Sequence, residues 1–436
     1  IATKNGLFVF SGGNISKHYK KEQGLPSNII LDMDTYDGLD FIWLATSNGI
    51  SKFDGTSFIN YSKNLGLPAK LVTAIHVDRT KSNTVWTGSE KSGLTRFDDN
   101  GFFNFATQDG LPSNSIRDIT QSKNGDLIIA CYNAGVVKYD GKTFKLFNNG
   151  LADKRVILVT NGPDGSIWAG TESAGVGVLN DDQFKMVIDA DGLGHNEIFS
   201  LHYDGKRMWA GTFGGGVSCF SGDIWYTMSQ ADGLASSNVG AIISSKGKIL
   251  LGGNNGLSIF EENDAQFALK FDKILTPKAE IPFQASMSTL AGIINDRFFM
   301  TANAMVYNPA DAQVRYRYKT IKDGEASSWS KPQLSSQISF VPNEVGDFQF
   351  QVQAIDNRLR TSKIVTIPFS ISRVWYLDPK TAVPFWGGIL LLIGFSVVNY
   401  INYRKKSKEA KDLRDAEIAR QQAEMEEARE FQQAML

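Results

Sequence analysis

Ten side chains hold most of the chemistry this sequence offers: Glu90, Lys91, Tyr132, Asn133, Glu172, His195, Asn196, Phe213, Asn254 and Asn255. Aromatic faces stack on the apolar faces of sugar rings, while amides and carboxylates exchange hydrogen bonds with hydroxyls. Singly, each is an ordinary solvent-exposed loop residue. Together they suit recognition of an external small molecule or oligosaccharide better than bond-making. Reaction chemistry has no comparable set: the sequence contains no GxxxxGK[ST], HExxH, CxxC or GxSxG stretch. Gly214-Gly215-Gly216 has no helix after it, so it reads as a turn between strands, not a phosphate loop. His18, His76, His195 and His202 lack metal-ligand spacing. Cys131 and Cys219 make no disulfide framework and read as small buried apolar residues. A formal net charge of −1 leaves no nucleic-acid footprint. No cofactor, metal or catalytic residue is expected in this chain.

A repeat supplies the scaffold. Gly-Leu pairs followed by polar loops open six units, at Gly24, Gly66, Gly110, Gly150, Gly192 and Gly233, spaced by 40 to 44 residues. A period near forty with strand-rich content predicts a β-propeller. Each unit reads as four strands, a to d; in the first they begin near Ile29, Phe41, Gly49 and Phe58. Strand b carries a column of Trp43, Trp86, Ile128, Trp168, Trp209 and Leu250. Strand c carries Phe53, Phe97, Tyr139, Leu179, Phe220 and Phe260. A lone four-stranded sheet cannot bury its face, so these columns are expected to pack against the next blade. The opening IATKNGLFVF fits the same ruler, with Ile1 in the place of Leu44 and Phe10 in that of Phe53. One truncated unit plus six gives seven blades over residues 1–263, and leaves room for more before Ile1. The d strand of the last blade is either 266–271 or absent. In such a blade the d-to-a and b-to-c connections share one rim, which holds all ten residues above. The a-to-b and c-to-d turns of the other rim are expected to be tight, as in SKNGD and DGKT. Leu111 and its equivalents should be buried near blade junctions.

These units resemble the two-component regulator propeller repeat. GLPSNSIRDITQSKNGDLIIACYNAGVVKYDGKTFKLF, from Gly110, follows its pattern nearly throughout, and departures fall at Cys131 and Leu250. DGSIW at Asp164 resembles the Asp-box turn of sialidases, which is structural, and no sialidase arginine cluster accompanies it. The resemblance implies a propeller that senses glycan fragments outside the cell.

Residues 264–373 break the period but keep strand patterns, for example the alternation of Phe348, Phe350, Val352 and Ala354. About a hundred residues of this kind predict an immunoglobulin-like β-sandwich without a disulfide. The run Arg315-Tyr316-Arg317-Tyr318, the pair Trp329-Ser330 and the strand from Gly346 resemble the triple-tyrosine domain, which that family places between propeller and membrane.

After a linker at 374–382, Val383 to Ile401 holds nineteen residues without a charge. As a helix it spans about 28 Å, the hydrocarbon thickness of a bilayer. Trp386, Tyr400 and Tyr403 suit the interfaces, and Arg404, Lys405, Lys406 and Lys408 follow the span. The positive-inside bias makes this a single-pass protein of the bacterial inner membrane, with 1–382 periplasmic and 402–436 cytoplasmic. From Phe395 onward there is neither Gly nor Pro, so the rod continues inward. Ile418, Gln421, Met425, Ala428, Gln432 and Met435 give a heptad seam that predicts a homodimeric coiled coil, with the sandwich as a second dimer contact.

AREFQQAML, from Ala428, resembles the linker that enters metal-dependent serine/threonine phosphatases of the sigma-factor-regulator type. The chain starts without Met and stops in mid-helix, so it reads as a fragment: the sensor half of a membrane receptor whose output domain lies beyond Leu436. Two alternatives remain at this level. One is the sensor region of a histidine kinase; the other is a membrane-anchored propeller scaffold or adhesion protein with no catalytic output.

Overall fold

The computed structural model describes the chain except residues 12, 37, 222–223, 262–265, 278, 284–287, 307–313, 357–358 and 435–436. The expected boundary at 263–264 and the seam residue Met435 fall among those outside the description. Two compact units emerge: Ile1–Asp272 with Thr301–Ile338 and Phe350–Thr366, and Lys273–Met300 with Ser339–Gln349 and Ile367–Leu436.

Seven antiparallel sheets fill the repeat region of the first unit, and these are the blades. Blade 1 has strands b to d, at Ala2–Thr3, Gly6–Ser11 and Asn14–Tyr19. Blades 2 to 6 have all four, with strands a at Ile30–Asp34, Val72–Val77, Ile116–Gln121, Val156–Asn161 and Ile198–Tyr203. Blade 7 has Val239–Ser245, Lys248–Gly253 and Gly256–Glu261. Among the described residues it has no d strand: Ala268–Leu275 pairs with Glu280–Pro282 instead.

The aromatic columns meet across blade junctions. Trp43 lies 5.9 Å from Phe97 of the next blade, Trp86 5.9 Å from Tyr139, Trp168 5.8 Å from Phe220 and Trp209 5.4 Å from Phe260. At the remaining junction Ile128 and Leu179 share one cluster. The strand-b glycine two residues past the column makes room for the neighbour. A Cβ on Gly88 would fall 2.4 Å from the Ile116 side chain of the next blade, so only glycine lets the strands approach this closely. The repeat period also reappears as hydrogen bonds between strands a. Asp32 accepts from the Ile75 amide, Asp34 from Val77 and Asp118 from Val159, each at 2.8 Å. His202 accepts from the Ser244 amide in the same way at 3.1 Å.

Two local devices recur. Five of the d-to-a connections contain a single 3-10 turn that closes on the glycine of the Gly-Leu pair, at Gly24, Gly66, Gly110, Gly192 and Gly233. Their φ values of 91° to 111° are left-handed, a conformation that side chains with a Cβ resist. The leucine that follows is buried at Leu25, Leu67, Leu111 and Leu193. In addition, strand a of blades 2 to 7 begins with a β-bulge in the same place, after Ile30, Val72, Ile116, Val156, Ile198 and Val239.

Beyond the repeats, strands between 268 and 372 form two sheets, of four and five strands. Within the first unit, Tyr316 is buried, Arg317 stacks over Trp329 at 4.4 Å, and its guanidinium donates to Gln353. Trp329, Ile355 and Leu359 pack with Trp209, Val239 and Leu251 of blades 6 and 7. The second unit has its own aromatic centre, with Phe298 4.9 Å and Phe340 5.1 Å from Phe369. Its one helix runs Pro379–Ala434 without a break. Pro384 stands near its start, where the missing amide costs least. No part of its apolar window is buried, so it has the length, composition and exposure of a single membrane span. Both cysteines are fully buried and neither is in a disulfide; burial pushes the Cys131 thiol up to about 12.

Leu111 joins blade 3 to blade 4 through Trp86, Leu94 and Ile116. Leu111→Ala should therefore cost about 2–5 kcal/mol in chemical denaturation followed by tryptophan fluorescence. A second expectation concerns pH. Burial raises the Asp118 carboxyl from 3.8 to about 6, against hydrogen bonds from the Val159 and Ile119 amides. A raised carboxyl favours folding while protonated, so its contribution falls as pH rises from about 4 to about 6 and is level above that. The stability of the native chain minus that of Asp118→Asn should fall across that window, measured by denaturant titration at several pH values.

Candidate ligand-binding rim

The bulge at the start of strand a decides what the rim displays. Its first residue is buried in every blade, and in blades 4 and 6 the next reaches a residue of the b-to-c turn. In blade 4 that next residue is Arg117, and in blade 6 it is Phe199. Arg155 stands just before the bulge of blade 5. None of the three belongs to the ten expected site residues, yet they link several of them.

Across blades 3, 4 and 5 the side chains form one chain of contacts. The Arg117 guanidinium lies 3.3 Å from Glu90 and 4.7 Å from the centre of the Tyr132 ring. The Tyr132 hydroxyl donates to Glu172 at 2.9 Å. Glu172 pairs with Arg155 at 2.5 Å, and Arg155 also binds Asp153 at 2.9 Å and the Ser173 hydroxyl at 2.9 Å. Three carboxylates face two guanidiniums, with exposed Lys91 beside Glu90. The charges nearly balance, and the groups left facing solvent are hydrogen-bonding edges and the Tyr132 ring. In blade 6, Phe213 stacks edgewise on Phe199 at 5.4 Å and stands 6.3 Å from His195. Phe213 is 46% exposed, a flat apolar face open to a ligand.

The other expected residues take different roles. The Asn196 side-chain oxygen accepts from the Asp189 amide, bracing the 3-10 turn as Asn28 and Asn114 do in their blades. Asn133 occupies the left-handed position of its turn, at φ 64°. Asn254 and Asn255 are exposed on blade 7 and join neither group of contacts. The Asp-box-like turn is structural: Asp164 is left-handed and Ser166 accepts from the Trp168 indole at 3.0 Å. Among the described residues no cluster of His, Cys, Asp or Glu has metal-holding geometry.

Electrostatics follow from these contacts. The hydrogen bond to Glu172 holds the Tyr132 phenol above its usual value. Burial opposes ionisation of Asp153, but the bonds from Arg155 and Ser173 outweigh it and hold the carboxyl below its usual range.

Residues 310–372 match the Y_Y_Y domain model. Among solved structures the chain resembles the extracellular domain assigned to the hybrid two-component system BT3049 of B. thetaiotaomicron, with 22% identity and a TM-score of 0.55, over 85% of this chain and 53% of that one. PorZ, a surface component of the type-IX secretion system of Porphyromonas gingivalis, aligns at 16% identity and TM-score 0.46, over 81% and 53%. The BT3049 match establishes a shared fold, and this chain spans about half the length of those structures. A search of curated proteins returned no match.

Removing the Glu172 charge removes what favours the protonated phenol. Glu172→Gln should therefore lower the Tyr132 pKa toward the ordinary tyrosine value, read from ring shifts of carbon-labelled tyrosine over a pH series.

Proposed function

We propose that this chain is the ligand-sensing part of a single-pass signalling receptor. Residues 1–382 lie on the periplasmic side of the bacterial inner membrane and 402–436 in the cytoplasm, as the basic residues after the span favour. The rim of blades 3 to 6 binds an external oligosaccharide. Near-neutral charge, polar edges, the open Phe213 ring and the half-buried Tyr132 ring match hydroxyls and sugar faces better than a formally charged ligand.

The observation that carries the reading is the unbroken helix from Pro379 to Ala434. An anchor needs only the apolar part, whereas a rigid rod that continues some thirty residues further can pass a displacement on. In this reading two copies pair along Ile418, Gln421, Met425, Ala428 and Gln432, which lie on one side of the helix at heptad spacing. The AREFQQAML stretch supports a serine/threonine phosphatase as the output beyond residue 436. The Y_Y_Y domain and the two-component description of the BT3049 relative support the receptor class.

The test is a panel of oligosaccharides titrated calorimetrically against the chain in nanodiscs. Saturable binding to at least one is expected, and Tyr132→Ala with Phe213→Ala should weaken it by about tenfold or more. Unchanged affinity in the double variant would move the site elsewhere. Spin labels at residue 420 whose spacing ignores the bound sugar would reduce the helix to an anchor.

A further inference from the structure

The turns of the opposite rim are not uniformly tight. Blade 2 joins strands a and b through residues 35–41 and blade 3 through 78–84, each longer than the five-residue connections 122–126 and 162–166 in blades 4 and 5. Between these two loops lies a cleft of about 520 Å³, within the usual range for small-molecule sites. Its lining includes Tyr36, Phe41, Trp43, Lys52, Tyr61 and Phe97.

One position explains why this junction differs from the others. Six residues after the first bulge residue, blade 3 has Asp78 and blade 6 has Asp204, and each accepts a hydrogen bond from its blade's tryptophan. The Trp86 indole donates to Asp78 at 3.0 Å and Trp209 to Asp204 at 2.7 Å. Blade 2 has Tyr36 at that position, which has no carboxylate to offer. Trp43 is only 5% exposed, and among the described residues its indole N–H has no acceptor. That N–H is not sealed from solvent, so it opens to the cleft as a donor that no side chain engages and that a ligand acceptor can use.

The other unengaged groups at the cleft are also donors. The Tyr61 hydroxyl has no hydrogen-bond partner among the described residues, and Lys52 has no ion pair there, its ammonium standing 3.7 Å from the Phe41 ring centre. Two of the three acids nearby are already engaged, and the third, Asp99, is exposed to solvent. Asp78 receives Trp86, Gln121, Thr80 and Lys81; Asp98 pairs with Arg96 at 2.9 Å; Asp99 faces Asn83. Two neutral donors and one ammonium call for an anionic acceptor, and the surrounding rings call for an apolar body.

We propose that this cleft between blades 2 and 3 is a second ligand site, for a small carboxylate with an aromatic or apolar body. The carboxylate accepts from Trp43 and Tyr61 and pairs with Lys52, while the body lies among Tyr36, Phe41 and Phe97. The site is separate from the oligosaccharide rim and does not depend on that assignment.

The experiment uses the full chain in nanodiscs, labelled with 5-fluorotryptophan, with phenylacetate as probe and phenylacetamide as neutral control. The chain has 8 tryptophans, and Trp43→Phe identifies the resonance of interest. Phenylacetate should shift that resonance alone, saturably, and phenylacetamide should bind about tenfold or more weakly. Tyr36→Asp installs the acceptor that blades 3 and 6 carry. It should abolish the shift while the other tryptophan resonances keep their positions, which separates loss of the site from loss of fold. Lys52→Gln should weaken phenylacetate binding and leave phenylacetamide unchanged. The proposal is overturned if phenylacetate gives no saturable shift, if the amide binds equally well, or if the shift survives Tyr36→Asp.

Discussion

A four-stranded blade cannot bury both of its faces, and everything in the propeller follows from that. Each strand-b tryptophan or aliphatic must find the strand-c residue of the next blade, so packing is a chain of nearest-neighbour junctions. The same junctions dictate the glycines that let strands approach and the carboxylates that satisfy amides across strands a. With burial and backbone pairing met inside the junctions, the connections at either rim are free of structural duty except where a turn must close. Side chains on those connections can then be chosen for what they bind.

The two rims use that freedom differently. On one, arginines and carboxylates neutralise one another and leave a broad surface of hydrogen-bonding edges with one exposed ring, Phe213, and one half-buried ring, Tyr132. On the other, two longer loops wall a compact cleft that offers an indole N–H, a phenol hydroxyl and an ammonium. Balanced charge over a wide face suits an extended polyol; concentrated donors in a small space suit a compact anion. The contrast comes from a few residues, since the blades beneath are near copies.

Most of the scaffold was legible in the sequence because it is periodic. Strand order, the aromatic columns, the buried leucine after each repeat glycine and the uncharged helix all depend on residue type at fixed spacing. What was hidden departs from periodicity. Arg117 and Phe199 reach the rim through a bulge and Arg155 stands just before one, and a bulge is a backbone event with no residue signature of its own. Asn196 looked like a ligand-facing amide, but its oxygen is taken by a turn amide, a partnership set by geometry seven residues away. The long a-to-b loops of blades 2 and 3 were visible as spacing, yet the tight examples in later blades set the expectation. Blade 7, which has three strands among the described residues, shows the same limit: 268–275 is a good strand by pattern, and pattern cannot say which sheet it joins.

The bulge has a consequence for how such a protein changes over generations. Its first residue is Ile, Val, Ile, Val, Ile and Val in blades 2 to 7, while the second is Leu, Thr, Arg, Ile, Phe and Gly. The interior tolerates almost no variety one position away from a site that tolerates nearly all of it. Six such positions ring the mouth of a single domain. Where the second residue makes no contact with the neighbouring blade, substitution there touches the rim without disturbing the core, whereas Thr73, whose hydroxyl donates to the Ile116 carbonyl of the next blade, has a structural partner to lose.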